Sequence, residues 1–156
     1  LASLVLSATW PGQDVYFNRA FAARKGVLSA AGTREYARHS ILTLVPPWYI
    51  TQNADKISEL EGYLAGADQP VEIMENRIDA ICAFDRRNRM GDIKAPTLVI
   101  VAEDDMVTPR HLSDQLEEGI TGAERVTLPT GGHFVIHILV EEYNRAVNDF
   151  LQRNPL

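Results

Sequence analysis

Two short stretches hold the residue types from which an acid–base pair is built. Leu98 to Ala102 is an apolar run that ends in Glu103-Asp104-Asp105-Met106-Val107-Thr108-Pro109, and Gly131-Gly132-His133-Phe134 follows with its histidine 28 residues beyond Asp105. A carboxylate on one imidazole nitrogen fixes the tautomer and stabilises the imidazolium when the other nitrogen takes a proton. That is the acid–base half of nucleophilic acyl transfer. The glycine pair lets the backbone turn tightly and present the ring without a clashing Cβ. The nucleophile half is missing. A serine on a strained strand-to-helix turn is marked by Gly-x-Ser-x-Gly, and none of Ser3, Ser7, Ser29, Ser40, Ser58 and Ser113 has glycines at that spacing. Cys82, with Ala80 and Phe84 two places to either side, does not qualify either.

Regular elements must bring the carboxylates and the histidine together. Thr97 to Ala102 is continuously apolar after Ala95-Pro96, the pattern of a parallel strand buried on both faces. Thr108-Pro109 reads as the N-cap and first turn of a helix carrying Leu112, Leu116 and Ile120. Arg125 to Leu128 reads as a second strand ended by Pro129, and Ile136, Leu139, Tyr143, Val147 and Phe150 mark one closing helix. Strand, helix, strand, helix at this spacing predicts parallel strands joined by a right-handed crossover. Parallel neighbours expose their C-terminal ends on one sheet edge, where ligands bind in such folds. With strands about 4.8 Å apart, short loops after each bring Asp105 and His133 into hydrogen-bonding range.

The first two thirds of the chain follow another pattern. Residues 1–8 read as a strand stopped by Trp10-Pro11-Gly12. Helical spacing then dominates. Val15 to Leu28 forms one amphipathic helix closed near Ala31-Gly32, and Thr33 caps a second that Pro46-Pro47 stops. A third runs from Asn53 or Ala54 to Gly66, and Pro70 starts a fourth through Ile73, Ile78, Ile81 and Phe84. Arg86-Arg87-Asn88-Arg89 reads as the solvated end of that last helix, where cations suit the helix dipole. The expected organisation is residues 1–9 as a core strand, 10–92 as a helical cap and 93–156 as a βαβα unit.

Composition narrows the function classes. A net charge of −6 disfavours a nucleic-acid partner, because neutralising phosphates needs clustered Lys and Arg. One cysteine in 156 residues rules out an internal disulfide and fits a reducing, cytoplasmic setting. No apolar run approaches the roughly 20 residues of a membrane span, so no membrane partner is expected. Without an initiator methionine or a basic n-region ahead of Leu1, the chain reads as part of a longer or trimmed protein rather than one with a retained signal peptide.

In these features the chain resembles the C-terminal half of an α/β-hydrolase-fold protein. Ala102-Glu103-Asp104-Asp105-Met106-Val107-Thr108-Pro109 is similar to the family's acid loop, whose fourth residue is the triad acid, and Gly132-His133 to its histidine loop. Phe21-Ala22-Ala23-Arg24 and Pro46-Pro47-Trp48 resemble the cap of small-molecule hydrolases of the aminoacrylate hydrolase and 3-oxoadipate enol-lactonase kind. The resemblance implies a partial α/β-hydrolase fold, with a parallel sheet remnant of about three strands and a four-helix cap insertion. It implies Asp105 as the acid, ahead of Asp104, and His133 as the base of a serine-type hydrolase. The substrate would be a small ester, lactone, amide or C–C compound, with no cofactor. The first five strands, the oxyanion-hole loop and the nucleophile elbow of the family have no counterpart here. The expected partner is therefore the N-terminal half of the same protein, or a second copy joined through an exposed sheet edge.

Plainer readings stand beside these. For Asp105 and His133 the plainer and less favoured reading is an ordinary strand-end loop residue and a turn histidine bonded to backbone. His133, His137 and Glu141 imitate metal-ligand spacing, but Phe134 stands where H-E-x-x-H has its glutamate, so no metal is expected. His39 and His111 read as helix-surface residues, and Ser7 sits on the functional edge without elbow glycines. Trp10, Phe21, Trp48 and Phe134 are candidate substrate contacts, with hydrophobic packing as the alternative for each. A phospho-receiver module shares the acidic strand end but needs a lysine later in the chain, and none follows Asp105. A non-hydrolytic member of the fold, such as a ligand receptor or a cofactor-free oxygenase, remains the second functional reading.

Overall fold

A computed structural model describes residues 1–66 and 70–155. The chain divides into two compact units: Leu1–Gly12 with Asp85–Leu156, and Gln13–Phe84.

The first unit is built on three parallel strands, β1 (Leu4–Ser7), β2 (Thr97–Ala102) and β3 (Glu124–Leu128), in the order β1-β2-β3. Val5 pairs with Leu98, which in turn pairs with Glu124. All six residues of β2 are buried, as a central parallel strand covered on both faces requires. Alternate side chains serve opposite faces. Ile100 and Ala102 pack with Val5, Leu128, Val135 and Tyr143, whereas Val99 packs with Leu6, Leu116 and Ile120. Helix α5 (Arg110–Gly119) thus covers one face, and α6 (Val135–Ile138) with α7 (Val140–Arg153) covers the other.

The points where the helical segment leaves and rejoins this unit lie side by side. Gly12 and Asp85 form an isolated antiparallel bridge, and the Arg86 N–H donates to the Pro11 carbonyl at 2.7 Å. A Cβ at Gly12 would meet Asp85 Oδ1 and Arg87 Nε at 2.7 Å, so a larger residue there would displace that ion pair. The side chain and backbone N–H of Arg87 hold the Asp85 carboxyl down to about 2. The arginine cluster therefore does not end a helix. Helix α4 (Val71–Ala83) stops earlier, and Arg87–Asp92 is a separate 3-10 turn in which Arg87 pairs with Asp85 and Arg89 with Asp92.

In the second unit, α1 (Val15–Leu44) packs against α3 (Ala54–Gly66) and α4. The two helices expected before Pro46 run end to end, joined at Gly32 with φ 80° and ψ −175°. Asp14 caps the first by accepting the Phe17 N–H at 2.7 Å. Arg24 ties the two halves across the kink. From the first half its guanidinium reaches Tyr36 Oη and Ser40 Oγ of the second, each at 3.2 Å, and lies over the Phe21 and Tyr36 rings. The sequence did not reveal α2 (Pro47–Gln52), which uses Pro47 as a first-turn residue, where its missing N–H costs nothing. The closing helix is also not continuous. It breaks at Leu139 (φ −110°, ψ 58°), which the unbroken apolar stripe through that residue conceals.

The backbone at Gly32 occupies a region that only glycine populates readily, so Gly32→Ala should destabilise the helical unit by about 1–3 kcal/mol. Gly26 lies inside the first half of α1 at ordinary helical geometry with open space around a Cβ. There, Gly26→Ala should stabilise by about 0.4–1 kcal/mol. Urea unfolding of the two variants checks the opposite signs, and equal shifts would contradict the kink.

Candidate active site

The site grows from the C-terminal ends of β2 and β3. The Glu103 N–H donates to the Leu128 carbonyl at 2.8 Å, which holds the two strand ends together just before their loops diverge. The loop after β2 then folds around the Asp105 carboxylate. Oδ1 accepts the backbone N–H groups of Val107 at 2.8 Å and Thr108 at 2.9 Å. Oδ2 accepts the Thr108 hydroxyl at 3.0 Å and lies 3.0 Å from His133 Nδ1. The Asp105 side chain is wholly buried and the His133 side chain is 23% exposed. A buried carboxylate is tolerated only when its lone pairs are filled, and here four contacts fill them.

This arrangement decides the tautomer. The Thr108 hydroxyl spends its hydrogen on Asp105, and its oxygen sits 3.3 Å from His133 Nδ1. Nδ1 therefore faces a carboxylate oxygen and a hydroxyl lone pair, so it carries the proton as a shared donor. Nε2 is left as the acceptor in the neutral ring, which is the state a general base requires.

Thr108 is the site residue that sequence reasoning misplaced. Read as a helix N-cap, it makes no cap bond; α5 is preceded by Pro109, and the threonine hydroxyl turns back to Asp105 and His133. The Asp-x-x-Thr spacing, which lets a carboxylate accept the N–H groups two and three residues on, is the signal that could have placed it. Asp104, weighed above as a second choice of acid, contacts the histidine loop instead: Oδ1 accepts the Gly132 N–H at 2.8 Å, and Oδ2 accepts the Thr130 hydroxyl.

The candidate substrate contacts fall in both units, Trp10 and Phe134 in the first and Phe21 and Trp48 in the second. Phe134 is half-buried beside His133 and edge-on to His137 at 5.7 Å between ring centroids. Trp10 is half-buried between β1 and Gly12. Phe21 is buried with its ring 4.4 Å from that of Phe17 and under the Arg24 guanidinium. Trp48 is exposed at the start of α2 and edge-on to Tyr49. Two cavities of about 480 and 470 Å³ lie in the helical unit, and neither is lined by Phe21 or Trp48. His111 is exposed as expected of a helix surface, whereas His39 is half-buried.

No family model matches the chain. It is 34% identical over 148 residues to a protein of Azorhizobium caulinodans that bears the name "Putative carbamate hydrolase RutD", covering 95% of this chain and 56% of that protein. It is 36% identical over 156 residues to the RutD protein of Variovorax paradoxus, covering 98% of this chain and 58% of that one. The chain thus spans little more than half the length of the curated relatives it matches. In structure it superposes on the enol-lactonase of Burkholderia xenovorans with a TM-score of 0.84 at 21% identity, over 96% of this chain and 56% of that one.

Gly131 has φ 122°, and a Cβ there would lie 2.9 Å from the Val135 side chain and 3.0 Å from its Cα. Gly131→Ala should therefore cost about 1–3 kcal/mol and pull His133 away from Asp105. Chemical denaturation together with the ring-proton NMR signal of His133 checks this. An unshifted midpoint and an unchanged signal would contradict it.

Proposed function

We propose, from the premise that this chain is part of an α/β-hydrolase fold, that it supplies the acid and base of a serine-type hydrolase whose nucleophile lies in another segment. The observation that carries the reading is the Asp105–His133 contact at 3.0 Å, formed by residues that follow adjacent parallel strands. In the proposed reaction a serine hydroxyl attacks the carbonyl carbon of the substrate as His133 Nε2 takes its proton. Asp105 holds the ring through Nδ1 and stabilises the imidazolium that forms. Nε2 then gives the proton to the leaving group, and water attacks the acyl-enzyme by the same route in reverse.

The substrate we propose is a small carbonyl compound, an ester, lactone, amide or carbamate. The name carried by the relatives supports the carbamate member of that group, and the enol-lactonase likeness supports the fold alone. The expected partner is a segment that extends the sheet. Among the described residues β1 pairs only with β2, and its four residues are only half-buried. Unpaired backbone groups on such an edge template another strand. We place the segment that carries the nucleophile there, with self-association through the same edge as the competing outcome.

The test compares the chain alone with the chain joined to an upstream segment bearing Gly-x-Ser-x-Gly. Alone, it should hydrolyse neither small esters nor carbamates and take up no serine-directed phosphonate. Joined, it should gain a turnover that His133→Ala lowers by roughly 10⁴-fold or more, because nucleophile and base act as one unit. Stoichiometric labelling of Ser7 in the chain alone, or full activity in the joined His133→Ala protein, would overturn the proposal.

A further inference from the structure

Two adjacent carboxylates at the end of β2 do different work. Asp105 is buried and holds the His133 ring, whereas Asp104 is exposed and has no contact with the ring among the described residues. Its two oxygens instead take the Thr130 hydroxyl and the Gly132 N–H, the residues that lead into the histidine. That loop lacks a regular ladder. Gly131 and Gly132 have φ values of 122° and 59°, conformations in which glycine has little intrinsic preference to hold the chain in place. A ring anchored only at Nδ1 can keep its hydrogen bond while the Cα beneath it wanders. A second anchor on the backbone removes that freedom.

We propose that Asp104 is a positioning residue for His133, clamping the histidine loop through Gly132 N–H and the Thr130 hydroxyl. The inference rests on the reading of Asp105 and His133 as an acid–base pair and adds to it the group that sets where the base stands. The acid loop thereby grips the base twice, at the ring and at the backbone one residue before it. Misplacement of a reacting group by about 1 Å can cost on the order of a hundredfold in rate, so a clamp on the backbone beside two positive-φ glycines has a rate consequence.

The test uses solution NMR of the whole chain and its Asp104→Ala and Asp104→Asn variants. In the unaltered chain the His133 Nδ1 proton should resonate far downfield, and the Gly132 amide should exchange slowly. In Asp104→Ala the Gly132 amide should exchange roughly ten- to a hundredfold faster, the fold-change that a hydrogen bond to a charged group corresponds to. The downfield proton should broaden or vanish, while the amides of Val99, Val101 and Val126 keep their protection. Asp104→Asn should restore both signals, because its amide oxygen accepts the Gly132 N–H and its NH₂ reaches the Thr130 oxygen. An unchanged Gly132 exchange rate and ring proton in Asp104→Ala would overturn the proposal. So would a loss of protection shared by the sheet amides, which would make Asp104 a contributor to the fold at large. Absence of the downfield proton from the unaltered chain would instead overturn the Asp105–His133 pair on which the proposal stands.

Discussion

The buried carboxylate of Asp105 is the constraint around which the rest of the site is arranged. With its side chain removed from solvent, it must find all its partners inside the protein. Leaving such a charge unpaired costs about 3–5 kcal/mol. The chain supplies the partners from two directions. Three donors come from the residues two and three places on, through the Val107 and Thr108 backbone and the Thr108 hydroxyl, and they shape the loop after β2. The fourth must come from elsewhere in the sequence, and His133 supplies it from the loop after β3. One electrostatic requirement thus joins two loops that only the sheet brings near each other.

The sheet supplies the geometry that meets this requirement. β2 is buried along its full length and pairs on both sides, so its C-terminal end is a fixed point. The parallel register between β2 and β3 sets Ala102 opposite Leu128, and the Glu103–Leu128 backbone bond closes the pair where the loops begin. Val135, fully buried against Ile100 and Ala102, then anchors the chain just past the histidine. The ring is thus held at Nδ1 by Asp105, and the chain that carries it is fixed on its C-terminal side by Val135.

Much of this was legible in the sequence for simple reasons. A run such as Thr97-Leu98-Val99-Ile100-Val101-Ala102 has few uses other than a strand covered on both faces, and the strand-end rule then places Asp105 and His133 on one edge. The glycine at position 32 marked the helix break correctly because its backbone freedom is local. What stayed hidden depends on partners distant in sequence. Thr108 before a proline looks like a helix cap, and only the nearness of His133 reveals its other task. The family resemblance singles out Asp105 from two chemically identical neighbours, but the contact of Asp104 with the histidine loop emerges only in the fold. Phe21 offers the same aromatic spacing whether it packs on Phe17 and Arg24 or lines a pocket.

The protonation pattern of the His133 ring tests the account most directly. Nitrogen chemical shifts from a long-range ¹H–¹⁵N correlation, recorded on the neutral ring, distinguish the two tautomers. Because Nδ1 faces the Asp105 carboxylate and the Thr108 oxygen, the account predicts a proton on Nδ1 and a bare Nε2, with the preference weakened in Asp105→Ala. A neutral ring that carries its proton on Nε2, or a tautomer ratio indifferent to Asp105, would contradict it.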